Sequence, residues 1–391
     1  MSSSPAEQLL FTALRHGLGA GELTIVGRDG RERVIRGRLP GPAATVVLRS
    51  PVAARRTLSG GGLGLAEGYL DGVWDTPDLQ SVLDLGVANM PPHKPTRPSL
   101  KTRATRAWHA LRDNDVAGAR KNIEYHYDLG NDFYRLWLDE SMAYSSALFC
   151  EPGAEDLSSA QVRKWDRLLD QLQPGSRDHL LEIGCGWGGF AIHAAREAGC
   201  RVTGVTISAE QHDWAVAAVE RAGVENLVEI RMQDYREITG QFTGIASIEM
   251  FEAVGERWWP TFFGRVRDLL APNGAAAIQG ITIEDARFED YRDHPDFIQR
   301  YIFPGGMLPS PERFRVAAEA QGLRMCEPHF FGASYAATLS EWAQRFEAAA
   351  PGVRALGFDE RFMRMWRYYL AYCQAGFKAG TIDVMQVRLE R

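Results

Sequence analysis

Between residues 179 and 281, short apolar runs alternate with amphipathic stretches. This alternation constrains the fold more than any other feature of the chain. The strand candidates are His179–Ile183, Arg201–Val205, Val228–Met232, Ile245–Met250 and Ala275–Ile281. Helix candidates lie between them at Gly188–Ala198, Ala209–Ala222 and Trp258–Leu270. Strands that alternate with helices predict a parallel sheet covered on both faces. Right-handed crossovers make such a sheet doubly wound. The alternating stretch Ile382–Leu389 predicts a closing strand.

The remaining chain divides by composition. Residues 1–90 carry an early helix pattern and then alternating segments such as Thr45-Val46-Val47-Leu48, which predict a small α+β domain. Residues 91–121 contain Pro91, Pro92, Pro95 and Pro98 and read as a linker. The α/β domain is then 122–391, with a long insertion at 283–309 that reads as a lid over a binding channel. A chain of 391 residues accommodates both domains.

The net charge of −6 excludes the whole chain from binding nucleic acid by charge. The linker differs, with Lys94, Arg97, Lys101, Arg103, Arg106, Arg112, Arg120 and Lys121 against Asp113 and Asp115. Each basic group near an anionic lipid surface contributes ~1 kcal/mol of attraction. A solvated basic linker is the alternative. The five cysteines include no C-x-x-C pair, which argues against a disulfide framework and a zinc site. No metal is expected. Met1–Leu10 lacks the pattern of a signal peptide, and no apolar run approaches the ~20 residues of a membrane span. The expectation is a cytoplasmic chain, peripheral at the inner face of a membrane.

The sharpest motif is Leu181-Glu182-Ile183-Gly184-Cys185-Gly186-Trp187-Gly188-Gly189-Phe190, which ends one strand and opens a helix. Glycines there let the backbone turn tightly and approach a ligand. A dinucleotide fingerprint needs G-x-G-x-x-G and an acidic residue about 20 positions later. Here the glycines are Gly184, Gly186 and Gly188, and the second strand ends Val205-Thr206-Ile207-Ser208 without a carboxylate. The E-x-G-x-G-x-G form resembles the first motif of class I methyltransferases, whose cofactor is S-adenosylmethionine. Thr206, Ile207 and Gln211 lie at the second strand end. Asp234 ends the third, where it can accept a hydrogen bond from the adenine amine or serve as a cap or turn residue. Ser208 reads as an N-cap.

Nearly the whole chain resembles the cyclopropane fatty acid synthase family. The residues that carry the resemblance are His126-Tyr127-Asp128-Leu129-Gly130-Asn131-Asp132-Phe133-Tyr134, the glycine motif, Gly204 to Gln211, Met250-Phe251-Glu252, Tyr301 to Ser310 and Tyr368-Tyr369-Leu370. The resemblance implies a Rossmann-like class I methyltransferase sheet with a small N-terminal α+β domain. It places S-adenosylmethionine against Tyr144, Ser145, Gly184, Gly186, Ile207, Gln211 and Ile248, with Trp187 in the same turn. It also implies a bicarbonate ion held by a cysteine, a glutamate, a histidine, an isoleucine backbone and a tyrosine. Glu252, Ile281 and Tyr335 fit that pattern, but Ser146 stands at the cysteine position and Gln279 at the histidine position. Serine and glutamine still donate hydrogen bonds to an anion, and neither titrates near neutral pH as histidine does. Cys373 falls where the family often has cysteine, and its default reading is an inert buried thiol.

The implied reaction is methyl transfer to the double bond of an unsaturated phospholipid acyl chain, giving a cyclopropane. The alternative outcome is a methyl- or methylene-branched product, with a reductase as a further partner. The intermediate cation needs an anion, for which Glu252 is the candidate, or aromatic faces such as Tyr335, Tyr369, Tyr372 and Phe377. A methyltransferase for a soluble acceptor and a non-catalytic lipid or cofactor sensor are the competing readings. A homodimer would strengthen membrane residence.

Overall fold

The computed structural model of the chain describes residues 5–90 and 129–391. The basic segment 91–121 and the opening residues of the His126–Tyr134 motif lie outside the described residues. Two compact units emerge. Residues 5–90 cluster with Trp342–Gly380, and residues 129–341 cluster with Thr381–Arg391. The sequence reading kept 342–380 with the α/β domain, and the structure groups these helices with the N-terminal residues instead.

In the first unit, β1 (Ala20–Val26), β2 (Glu32–Arg36), β3 (Leu39–Leu48) and β4 (Trp74–Asp75) form a sheet in the order β2-β1-β3-β4. The helix Leu79–Ala88 starts where the Asp78 side chain accepts from the Ser81 backbone N–H at 3.1 Å, an N-cap that satisfies an otherwise orphaned donor. Arg364, on the helix Glu360–Lys378, explains why that helix belongs here. Its guanidinium lies 3.9 Å from the centroid of the Tyr69 ring. It also donates to the carbonyls of Tyr69 and Trp74.

The second unit contains β5 (His179–Ile183), β6 (Arg201–Thr206), β7 (Val228–Met232), β8 (Phe242–Ile248), β9 (Leu270–Ile283), β10 (Arg324–Met325), β11 (His329–Phe330) and β12 (Ile382–Glu390). Its eight-stranded sheet has the order β10-β12-β9-β8-β5-β6-β7, with β11 also on β12. β5 to β9 run parallel, and β12 returns antiparallel beside β9. The expected doubly wound α/β sheet and closing strand are therefore present. Side chains alternate across each strand, so Leu181 and Ile183 join one core with Phe262, Phe263 and Phe314. Leu180 joins the other with Trp165, Phe190 and Val219. The strand order reverses at β5, which pairs with both β6 and β8. Ligands in such sheets sit outside the strands' carboxyl ends at that switch point.

The insertion 283–309 is structured. A short turn at Asp285–Arg287 and the helices Phe288–Asp293 and Phe297–Tyr301 fill most of it. Asp296 and Gln299 form a capping box, and Phe288 is fully buried in the core. The Met307 backbone N–H donates to the Glu252 carbonyl at 2.8 Å, which fastens the end of the insertion to the strand end where Glu252 sits.

Candidate active site

The turn after β5 is fixed by β6. The backbone N–H groups of Gly184 and Cys185 both donate to the Val205 carbonyl at 3.0 Å. Gly184 has φ 81° and Gly186 φ 52°, a region where a Cβ is costly. A Cβ on Gly184 would lie 2.7 Å from Met250 Cγ, whereas at Gly186 nothing lies within 4 Å of that position. The backbone at Gly186 is therefore open to a ligand, and Met250 closes the far side of the turn. Behind the turn Glu182 is buried, and its Oε2 has no hydrogen-bond partner among the described residues. Burial raises its carboxyl well above the usual range.

One residue beyond β8, Glu249 adopts φ 49°, uncommon for any residue but glycine and worth a physical account. Its carboxylate supplies one. Oε1 accepts from the Ser146 backbone N–H at 2.8 Å and from Gln279 Nε2 at 2.7 Å. Oε2 accepts from the Tyr335 hydroxyl at 2.7 Å. Burial raises the Glu249 carboxyl, while Tyr335, Lys164, Gln279 and Ser146 pull it back. Three residues on, Glu252 accepts from the Ile281 backbone N–H, and its Oε2 has no hydrogen-bond partner among the described residues. Burial and the neighbouring Glu249 push the Glu252 carboxyl up to about 8. Two carboxyls this close resist ionising together. At neutral pH the proton therefore stays largely on Glu252, while the three donors to Glu249 favour the charged form of that carboxyl.

A buried polar layer supports the pair. Lys164, on the helix Leu157–Leu172, is fully buried and donates to Ser145 Oγ at 2.7 Å. Burial pulls its ammonium down to about 8, against the attraction of Glu249, Asp139 and Glu182. Gln161 donates to the Ser145 carbonyl at 3.0 Å. Gln386 on β12 donates to the Lys164 carbonyl at 3.1 Å and to Gln279 Oε1 at 2.9 Å. The loop carrying Tyr144, Ser145 and Ser146 is thus held by one helix and, through Gln279 and Gln386, by two strands.

The sequence pattern of the family described as mycolic acid cyclopropane synthetase matches residues 115–387. The chain belongs to that family. The tuberculostearic acid methyltransferase of Mycobacterium tuberculosis is 39% identical over 367 residues, 90% of this chain and 84% of the relative. The cyclopropane-fatty-acyl-phospholipid synthase of Escherichia coli is 38% identical over 354 residues, 89% of this chain and 88% of the relative. A mycolic acid cyclopropane synthase solved with SAH and CTAB superimposes with a TM-score of 0.65 at 29% identity, covering 70% of this chain and 98% of that one. The protein is thus an S-adenosylmethionine-dependent C-methyltransferase of lipids, as its sequence led us to expect.

The sequence-predicted residues separate within this family frame. The open backbone at Gly186 and the unpartnered Glu182 oxygen suit S-adenosylmethionine. Trp187 Nε1 donates to Asn131 Oδ1 at 2.6 Å, and Gln211 Oε1 accepts from Thr206 at 2.9 Å. Asp234 is different. It caps the turn Tyr235–Glu237 and forms a two-oxygen pair with Arg236, at 2.9 and 2.7 Å. The cap is present, and each carboxylate oxygen keeps a lone pair that can accept a further donor such as the adenine amine. Ser146, Gln279 and Tyr335 do converge, as a bicarbonate site would require, but the anion they hold is the Glu249 carboxylate. Bicarbonate therefore does not fit these donors as they stand. Cys373, Tyr369, Tyr372 and Phe377 lie on the helix Glu360–Lys378 of the first unit. Tyr369 there packs edge-on against Trp366, and Cys373 is half-buried. Sequence reasoning missed Glu249, Lys164 and Gln386. A second acid three residues before Glu252 was the one available signal.

Proposed function

We propose that this enzyme methylates the double bond of an unsaturated acyl chain in membrane phospholipid and closes a cyclopropane ring. The observation that carries this reading is the Glu249–Glu252 carboxyl pair at the end of β8, packed through Met250 against the glycine turn. Bound S-adenosylmethionine supplies a methyl electrophile on a good leaving group. Tyr144, Ser145, Gly184, Gly186, Trp187, Ile207, Gln211, Asp234 and Ile248 would hold it. An alkene is a weak, neutral nucleophile, so alignment is the first requirement, worth ~7–11 kcal/mol in a near-attack geometry. Methylation leaves a cation on the acyl chain. One ionised carboxylate and the Tyr335 ring, which is buried, stabilise it, while the insertion fastened at Met307 keeps water away. The similarity to the Escherichia coli synthase supports a phospholipid substrate, and that to a synthase solved with CTAB, a long-chain detergent, supports an acyl channel. Such a substrate requires work at a membrane surface, and the proposed location is its inner face.

A second reading has its own support. The tuberculostearic acid methyltransferase matches at 39% identity, and Gln279 replaces a histidine, so the chain proton rather than the methyl proton can be the one removed. Cells expressing the chain and fed deuteromethyl-methionine with an unsaturated fatty acid distinguish the two by mass spectrometry of phospholipid acyl chains. A saturated ring with two of the three deuteriums supports cyclopropanation. A branched chain keeping all three supports the second reading, and fragmentation separates a ring from an exomethylene. Unlabelled lipid beside a labelled soluble product would overturn both.

A further inference from the structure

We infer that the Glu249 carboxylate stands in the place of a dissociable anion in this active site and takes the proton from the methylated acyl cation. The inference rests on the acyl methylation proposed above and names the group that completes it.

Three donors from three distant parts of the chain meet on this one carboxylate. They are the Ser146 backbone N–H at 2.8 Å, Gln279 Nε2 at 2.7 Å and the Tyr335 hydroxyl at 2.7 Å. The orientation of Gln279 is itself determined. Its oxygen accepts from Gln386, and its nitrogen faces both Glu249 and the Ser146 carbonyl. The reversed amide would set its oxygen against two further oxygens. Every partner therefore presents hydrogen, which is the surrounding an ionised carboxylate needs. The backbone agrees. A left-handed conformation at a residue other than glycine is strained and persists where its surroundings over-determine it. Here the side chain's three bonds hold Glu249 at φ 49°.

The proton step balances. Once the alkene has taken the methyl group, one acyl carbon is positive. A C–H bond then breaks, its proton passes to a Glu249 oxygen and its electron pair remains on carbon. The pair closes the ring if the hydrogen was on the new methyl, or forms an alkene if it was on the neighbouring chain carbon. Glu249 becomes neutral as the cation is discharged. No dissolved anion is consumed or required.

The test combines a binding arm with a turnover arm. Isotopically labelled bicarbonate is titrated into the wild-type chain with S-adenosylhomocysteine and followed by NMR. No saturable binding is expected, and saturable binding would overturn the inference whatever the lipid substrate proves to be. In the second arm, turnover on unsaturated phospholipid vesicles is measured in buffer stripped of carbon dioxide, with and without added bicarbonate. Wild-type turnover is expected to be the same in both, and dependence on bicarbonate would overturn the inference. Glu249→Gln is expected to lose about 100-fold or more in kcat, the span of general-base catalysis, with unchanged S-adenosylhomocysteine affinity. Retained kcat would overturn the inference. Glu249→Gly relaxes the backbone and vacates the anion's place, so it should be inactive without bicarbonate and regain turnover with it. Loss that bicarbonate does not restore would count against the substitution of one anion by another. If no variant folds, the two wild-type measurements still decide. If wild-type protein turns over no phospholipid, the proposed substrate fails while the binding arm still judges the anion.

Discussion

Glu252 and Lys164 make opposite demands on pH. The Glu252 carboxyl keeps its proton up to about pH 8 in the folded chain, against 4.5 ordinarily. Between those values the folded chain binds more protons than the unfolded one. The stability tied to this group is therefore complete below pH 4.5 and is lost as pH rises through about 8. Calorimetry of the cofactor-free chain from pH 5 to 8 should show a falling Tm that flattens in Glu252→Gln. An equal slope in both would mean that the carboxyl titrates normally. Lys164 is pulled down to about 8 from 10.5, so the folded chain binds fewer protons between those values and its contribution rises with pH there. Tyr335→Phe removes one donor to the Glu249 carboxylate. Hydrogen bonds to charged groups contribute ~1.5–3 kcal/mol, so kcat should fall roughly 10- to 100-fold with the cofactor KM unchanged. A shift in KM alone would show that Tyr335 serves cofactor binding instead. These residues mark the limit of sequence reading. Glu252 was legible because it stands in a family motif. Glu249 offered only its place three residues before Glu252, since the partners that set its role lie 103, 30 and 86 positions away.

At the level of elements much more was legible. β5 and β7 fall on the residues that alternation and turn chemistry picked out, because buried parallel strands read as short apolar runs between glycine and polar punctuation. β8 was misjudged at its end. The expected strand reached Met250, yet pairing stops at Ile248, where the charged Glu249 turns left-handed. β9 begins at Leu270, earlier than the apolar run suggested, through a register shift opposite Phe242 and Gly244. The glycine turn offers the sharpest test at this scale. Gly184→Ala forces a Cβ to within 2.7 Å of Met250 Cγ at φ 81°. Strain of this kind costs about 1–3 kcal/mol, and its relief must move Met250, which links the turn to the carboxyl pair. Calorimetric titration with S-adenosylhomocysteine should show roughly a 10-fold or greater loss of affinity. Unchanged affinity would place the cofactor away from this turn.

For the whole molecule, charge and domain grouping have separate causes. The grouping of the C-terminal helix with residues 5–90 rests on Arg364, whose partners lie 295 and 290 positions away, so no reading along the chain could find it. Charge, in contrast, is read directly from sequence. The enzyme carries −6 overall, yet residues 91–121 hold eight basic residues against two acidic ones. Among the described residues no helix is long and apolar enough to cross a membrane. The proposed phospholipid substrate requires contact with a lipid surface, and electrostatic attraction through this segment is the term the composition supplies. At ~1 kcal/mol for each basic group near an anionic surface, replacing Lys94, Arg97, Lys101 and Arg103 by glutamine should remove ~4 kcal/mol, about a thousand-fold in partition. Salt should act in the same direction, since the Debye length shrinks from ≈ 8 Å near physiological ionic strength to ≈ 3 Å at 1 M. Co-sedimentation with vesicles rich in anionic lipid should therefore fall with salt for the wild-type chain and be weak at every salt concentration for the variant. Turnover on detergent-dispersed lipid, where no charged surface needs to be found, should be the same for both. Attachment that ignores both salt and the substitutions would assign membrane contact to an apolar surface of the folded units rather than to the basic segment.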